Sequence, residues 1–353
     1  MRFNYFLTTF LPRKDYGGDR LYREVIEQAV HADALGFDAV SIPEHHLINL
    51  LIIPSPLQMA TKIATLTRNV DVVISISVLP IRDMRVFAGE VVQADILCDN
   101  RLVLGVGRGA FAAELAGLGV PLAETPQRFT ESLSVLEALL TRENVSWDGD
   151  YYKFDGITVM PRPERPVPIM IATITPDAIY NYAKRGYDIQ TTPLNSSFDV
   201  LLDQVNAFRK GRSEAPASVR APKLSLQRVI YLARDDAEAQ RIGHSVYDYY
   251  KRFDNLFTGP GVLRDGMVEP LPRKQQFEEM MDNLLICTKS RMLENLSKYA
   301  EAGIDEVIMS SGFGLPQAEM LDMMERFATE IMPHFKSAKP ARLDATVSSA
   351  HIG

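Results

Sequence analysis

The chain has 353 residues, 46% hydrophobic and 24% charged, which supplies a large buried core and excludes a mostly disordered chain. A net charge of −7 and a pI near 5.5 disfavour nucleic acid as the main partner, since binding it needs a basic footprint. Two cysteines, Cys98 and Cys287, exclude a disulfide framework, and scattered histidines without C-x-x-C or H-E-x-x-H spacing offer no metal site.

The first segment, FNYFLTTFLP, is apolar but interrupted by Asn4, Thr8 and Thr9, and no small-residue cleavage site precedes Arg13. It does not read as a signal peptide. No segment approaches the ~20 apolar residues of a membrane helix, so a soluble cytoplasmic protein is expected.

Short β-branched runs then alternate with longer stretches of helical period. Strands are predicted over residues 2–7, 38–42, 70–78, 102–106, 169–173, 187–190, 224–232 and 306–310. A helix over 21–35 carries Leu21, Val25, Ala29 and Ala32 on one face, with Gly36 as its stop. Ser55-Pro56 reads as N-cap and first-turn proline for a helix over 57–66. Thr125-Pro126 does the same for a longer one with Phe129, Leu133, Leu136 and Leu140 on its apolar face. Eight strands alternating with helices, without a break in composition, predict one (β/α)₈ TIM barrel over residues 1–335; a doubly wound open sheet is the alternative. Residues 148–158 read as a hairpin excursion, followed by the stiff MPRPERPVP lead-in to the fifth strand. Residues 253–284, with GPG, DGM and PLPRK, read as a long irregular loop before the last helix, placed to cover the active mouth. The polar tail 336–353 is expected to be mobile.

Three strand ends carry chemistry. Pro43-Glu44-His45-His46 closes the second strand, at the C-terminal face where barrels place their sites. Histidines beside a carboxylate offer an acid–base group near neutral pH, or are simply polar loop residues. The fourth strand runs into GVGRGA, residues 105–110, which fits the loose G-x-G-x-x-G/A dinucleotide pattern. Three strand–helix units precede it, so the pattern favours a phosphate-bearing ligand held by Arg108 over NAD specifically. The fifth strand ends in ATITPDA, where Thr175 is either a plain N-cap or part of an anion site at a helix N-terminus. Strands four and five are barrel neighbours, so Arg108 and Thr175 can reach one phosphate. Glu114 either backs a ligand or pairs at the surface.

In order and spacing, the segments MRFNYFLTTFLP, GFDAVSIPEHH, ISISVLP, ADILCDNRLVLGVGRG, IMIATITPDAIYNYAKRG, AGIDEVIMSSGF and MPHF resemble the bacterial luciferase-like flavin monooxygenases, the luciferase α subunit in particular. That resemblance implies a barrel holding reduced FMN (FMNH2) at its C-terminal mouth. It assigns His45 and Glu114 to catalysis, and Ser75, Ile76, Gly107, Arg108, Ile174 and Thr175 to the cofactor. Ser75–Ile76 matches a cis peptide beneath the flavin ring, and Phe6, His46 and Phe111 are assigned to the substrate pocket. Luciferase carries Asp where Glu114 stands, a reactive cysteine at the position of Gly107, and Glu at that of Ile174. These departures argue against light emission and a long-chain aldehyde substrate.

The implied activity is a two-component monooxygenase. A separate NAD(P)H:flavin reductase supplies FMNH2, and O2 forms a flavin C4a-hydroperoxide that passes one oxygen to a small organic substrate. A homodimer is expected through helices over 57–66 and 85–97, whose Ala60, Ala64, Ala88, Gly89 and Ala94 allow close approach. Three alternatives stand beside this: a deazaflavin-dependent dehydrogenase on the same barrel, a non-catalytic flavin-binding subunit, and an NAD-dependent dehydrogenase on a doubly wound sheet.

Overall fold

The computed structural model describes residues 1–336, so the tail expected over 336–353 falls, beyond its first residue, outside the described residues. Eight strands form the frame: β1 Arg2–Phe6, β2 Ala39–Ile42, β3 Asp71–Val78, β4 Leu102–Gly107, β5 Ile169–Ala172, β6 Asp188–Thr191, β7 Leu224–Leu232 and β8 Glu306–Ser310. Each pairs in parallel with the next, and β8 returns to β1 with Arg2 opposite Glu306 and Phe6 opposite Ser310. The ring is closed. That is the expected TIM barrel, and it removes the doubly wound alternative together with the dehydrogenase that depended on it.

Strands buried on both faces read as nearly continuous apolar runs, which is why β3 is DVVISISV. Alternate residues still divide the two faces. On β1, Phe3 and Tyr5 turn outward, edge-on to Phe327 and Phe37, while Asn4 turns inward to Glu306 on β8. The inward residues stack in levels. At the bottom, Arg2 binds Asp71 at 2.6 Å and Glu306 at 3.3 Å, and Ser225 donates to Glu306 at 3.1 Å. Above them Ala39, Val73 and Met170 form a buried apolar plug. Space opens over that plug, at the C-terminal ends of the strands.

The helical layer follows the sequence closely. In α1 (Gly18–Ala34) the buried face is Leu21, Val25, Ala29 and Ala32, with Gln28. α2 (Pro56–Leu66) begins after Ser55, whose side chain makes no cap bond. The long helix after β4 differs at its start. A six-residue helix α4 (Ala112–Gly117) follows α3 (Met84–Leu97), and α5 (Thr125–Thr141) then includes Thr125 itself. Thr125 donates to the Leu122 carbonyl at 2.9 Å, so its hydroxyl faces the preceding turn instead of capping α5. Ala60, Ala64, Ala88 and Ala94, expected at a dimer contact, are buried within the chain, whereas Leu66, Val86, Ile96 and Leu97 are exposed. No helix among the described residues is long and apolar enough to cross a membrane.

The first insertion is the expected hairpin, starting a few residues earlier, and the second is more ordered than its sequence promises. The first is an antiparallel hairpin, Val145–Asp148 with Lys153–Ile157. After α6 (Pro176–Lys184) and α7 (Phe198–Ser213), the second interrupts the path from β7 to β8. It contains α8 (Asp236–Phe257), a small hairpin, α9 (Phe277–Asn283) and a strand, Leu285–Cys287, that extends the edge of β7. Two helices follow it, α10 (Lys289–Glu301) and α11 (Gln317–Glu330), so it is not a loop before the last helix alone. The hairpin turns at Asp265-Gly266, both with positive φ (51° and 79°), as the tight type I′ turn requires. Buried Asn255 binds it to α8 through Val262 and Glu269, and buried Asn49 of the β2–α2 loop accepts from the Val268 N–H at 2.9 Å.

Burial raises the Glu306 carboxyl above its ordinary range, and Arg2, Asn4 and Ser225 only partly oppose this. The folded protein therefore retains a proton there that the unfolded chain releases. Its contribution to stability is complete below the unfolded value of 4.5 and is lost as pH rises through the higher folded value. Thermal unfolding of Glu306→Gln is expected to lose less stability than the wild type between about pH 5 and neutrality. Parallel losses in the two proteins would show that Glu306 titrates normally.

Candidate active site

A cavity of about 560 Å³ opens at the C-terminal ends of the strands. Of the residues assigned from sequence, Phe6, His45, Ser75, Ile76, Gly107, Arg108, Phe111, Ile174 and Thr175 line it. Two do not. The ring of His46 turns back to Glu44, with Nε2 2.8 Å from Oε1, and so leaves the pocket. Glu114 sits behind His45, with its carboxylate 2.8 Å from His45 Nδ1 and its other oxygen accepting the His46 N–H. It holds the histidine without itself lining the cavity.

Glu44 explains why adjacent histidines have opposite fates. Its carboxylate is fully buried and accepts from Arg82 at 2.7 Å, from the Val78 N–H at 3.2 Å and from His46. With His46 committed there, the chain presents His45 to the cavity. Glu114, an acceptor when ionised, assigns a hydrogen to Nδ1, and Nε2 of His45 is left without a partner among the described residues. Phe111 stacks on the ring, centroids 4.5 Å apart and planes 19° from parallel, which fixes its plane. The arrangement is a histidine able to take or give a proton at Nε2.

The adjoining wall comes from β3 and β4. The Ser75–Ile76 peptide is cis, as the sequence resemblance implied, and the β3–β4 register shifts between Ile74 and Ser77. The strands approach so closely that a Cβ on Gly105 would fall 2.1 Å from the Ile74 carbonyl oxygen. A Cβ on Gly107 would meet Ile76 Cδ1 at 2.8 Å, so the bare backbone there makes room for that side chain. Ser75 donates to Gln190 at 2.9 Å, and Gln190 to Gln227 at 3.1 Å, a polar chain across three strands.

Arg108 is exposed at the cavity edge and makes no ion pair or hydrogen bond with the described residues. Thr175 occupies the N-cap position of α6, but its hydroxyl makes no cap bond. A free guanidinium and an uncapped helix start on one cavity wall suit a phosphate. A phosphorylated flat cofactor therefore fits the residues present: Arg108, Thr175 and the first amides of α6 for the phosphate, Ile76 and the Gly107 backbone for the ring.

Opposite stands an aromatic wall that sequence reasoning missed, formed by Tyr249, Tyr250, Phe253 and Phe257 of α8. Phe253 meets Phe111 edge-on at 5.6 Å and Tyr250 at 5.7 Å. Their i, i+4 spacing was the available signal. Burial pushes the Tyr250 phenol up to about 12, against the pull of Arg228 and Arg273. It likewise pushes the thiols of Cys98 and Cys287 up to about 12 and 11, so neither is a ready nucleophile.

Comparison with known proteins gives a consistent picture. The family model described as luciferase-like monooxygenase matches residues 1–306. The chain is 26% identical over 362 residues to a protein of Acinetobacter baylyi named flavin-dependent trigonelline monooxygenase, oxygenase component, covering 99% of this chain and 100% of the relative. It is 24% identical over 334 residues to a protein of Amycolatopsis mediterranei named F420-dependent glucose-6-phosphate dehydrogenase, covering 89% of this chain and 95% of the relative. Among solved structures, the oxygenating constituent of 3,6-diketocamphane monooxygenase from Pseudomonas putida, a type II Baeyer–Villiger monooxygenase in complex with FMN, superposes with a TM-score of 0.77. That likeness spans 96% of this chain and 100% of the other at 18% identity, which makes it a likeness of fold.

Proposed function

The chain belongs to the luciferase-like monooxygenase family, and we propose that it is the oxygenase component of a two-component, FMNH2-dependent monooxygenase acting on a small organic substrate. The observation that carries this reading is the convergence in one cavity of an unpaired Arg108, the uncapped Thr175 and a carboxylate-held His45. Arg108, Thr175 and the α6 amides hold the phosphate. Ile76, beside Gly107, supports the ring, with Ile174 at its edge. Reduced flavin, when bound, supplies the electrons that activate O2 for transfer of one oxygen atom. His45, oriented by Glu114 and Phe111, moves a proton at Nε2, and the aromatic wall of α8 excludes water. The relative named as an oxygenase component supports a separate NAD(P)H:flavin reductase as the source of FMNH2.

Relatives named for F420 favour a second reading, a deazaflavin-dependent dehydrogenase at the same site. Anaerobic titration with reduced FMN and with oxidised F420, the hydride acceptor a dehydrogenase needs, followed for the FMN sample by O2 and a metabolite screen for one-oxygen mass gain, separates them. Tight FMNH2 binding with oxygenated product is expected; binding of F420 alone overturns the monooxygenase reading.

Arg108→Ala is expected to weaken FMNH2 binding roughly 10- to 100-fold, the range for a lost charge-assisted contact. Unchanged affinity by titration would remove Arg108 from the phosphate site. His45→Ala should lower oxygenation roughly 10²–10⁴-fold while FMNH2 binding persists, and His46→Ala should lower it less. A reversed ranking in single-turnover assays would show that the Glu44 and Glu114 contacts do not decide which ring acts. The proposal retains a homodimer through α2 and α3, now on the strength of their exposed Leu66, Val86, Ile96 and Leu97. Light scattering at micromolar concentration is expected to give twice the chain mass; a monomer ends that part of the reading.

A further inference from the structure

The reading above leaves one charged side chain on the cavity wall without a task. Arg228, on β7, is only 5% exposed and lines the cavity. Its Nε donates to Tyr299 Oη at 3.1 Å, one terminal nitrogen to the Leu194 carbonyl at 2.8 Å, and the other to the Asn283 carbonyl. All three acceptors are neutral. Five N–H donors with three protein acceptors leave two for a ligand. Among the described residues no carboxylate pairs with Arg228. Asp254 of α8 is held by Arg273 at 2.9 Å, and Glu44 by Arg82 at 2.7 Å.

A cation buried in an apolar interior without a counter-charge is costly, and an anion entering the cavity would offset much of that cost. The three protein bonds hold the guanidinium fork in place beforehand, so little side-chain freedom is lost when the anion binds. Tyr250, Phe253 and Phe111 then run in edge-to-face contact from the neighbourhood of Arg228, and Phe111 stacks on the ring of His45. We propose that Arg228 anchors a substrate carboxylate, and that the substrate is therefore a small acid with an apolar, ring-sized body laid along this aromatic wall. Its far end is presented toward His45. A singly charged, planar carboxylate matches one guanidinium, whereas a phosphate would bring surplus charge into an apolar wall; the free, exposed Arg108 suits a phosphate better.

This inference rests on the monooxygenase reading for the identity of its ligand as substrate, but its test needs neither flavin nor turnover. Calorimetry on the full chain without cofactor would use benzoate, phenylacetate and 3-phenylpropanoate, each against its neutral amide. At least one acid is expected to bind roughly tenfold or more tightly than its amide. In Arg228→Gln that preference should vanish, while Arg228→Lys should keep part of it and both variants should retain FMNH2 affinity. If Arg228→Gln fails to fold, the acid–amide comparison on the wild type and on Arg228→Lys still decides. No acid preferred over its amide overturns the proposal. So does loss of FMNH2 affinity in both variants, which would assign Arg228 to the cofactor. Failure of the wild type to bind FMNH2 alongside an intact acid preference would instead overturn only the monooxygenase reading.

Discussion

A carboxylate with no access to solvent must find partners, because burying it unpaired costs several kcal/mol. Glu44 meets that requirement with Arg82, the Val78 amide and His46, groups from the ends of two adjacent strands and the segments that follow them. The condition leaves little choice about the loops after β2 and β3. It draws His46 out of the cavity, and the preceding residue, His45, comes under Glu114 from a helix 69 residues away. The ring that faces the cavity is thus placed by an electrostatic requirement of the interior and not by a rigid strand.

The cavity is divided electrically. Its β4–β5 side is open and ends in an unpaired guanidinium beside an uncapped helix start, which suits a ligand that arrives hydrated and keeps its charge near water. Its β7–α8 side is aromatic and holds a buried arginine, where charge is screened less than at the surface. The two guanidiniums, Arg108 and Arg228, thus lie on the same cavity in different surroundings.

Most of the frame was legible in the sequence because parallel strands buried on both faces leave β-branched runs, and these alternate with helical stripes such as Leu21, Val25, Ala29 and Ala32. Strand-end residues that line the cavity were legible too, because a barrel opens at those ends. What escaped was set by distance along the chain or by tertiary choice. Nothing local distinguishes His45 from His46. Arg228 hides inside LSLQRVIYL, a run that otherwise reads as plain strand. The aromatic wall lies partly in a segment that reads as loop, since the turn residues of GPG and DGM directly follow the aromatic spacing of α8. Thr125 looked like a cap because Thr-Pro so often is one; a preceding turn claimed its hydroxyl instead.

The lower half of the barrel is filled, first by the Arg2–Asp71–Glu306 cluster and then by Ala39, Val73 and Met170. A filled lower half leaves the strands' C-terminal ends as the place where ligands meet the cavity, so whatever binds there shares one mouth. The α8 insertion, tethered by Asn49 and Asn255, frames that entrance.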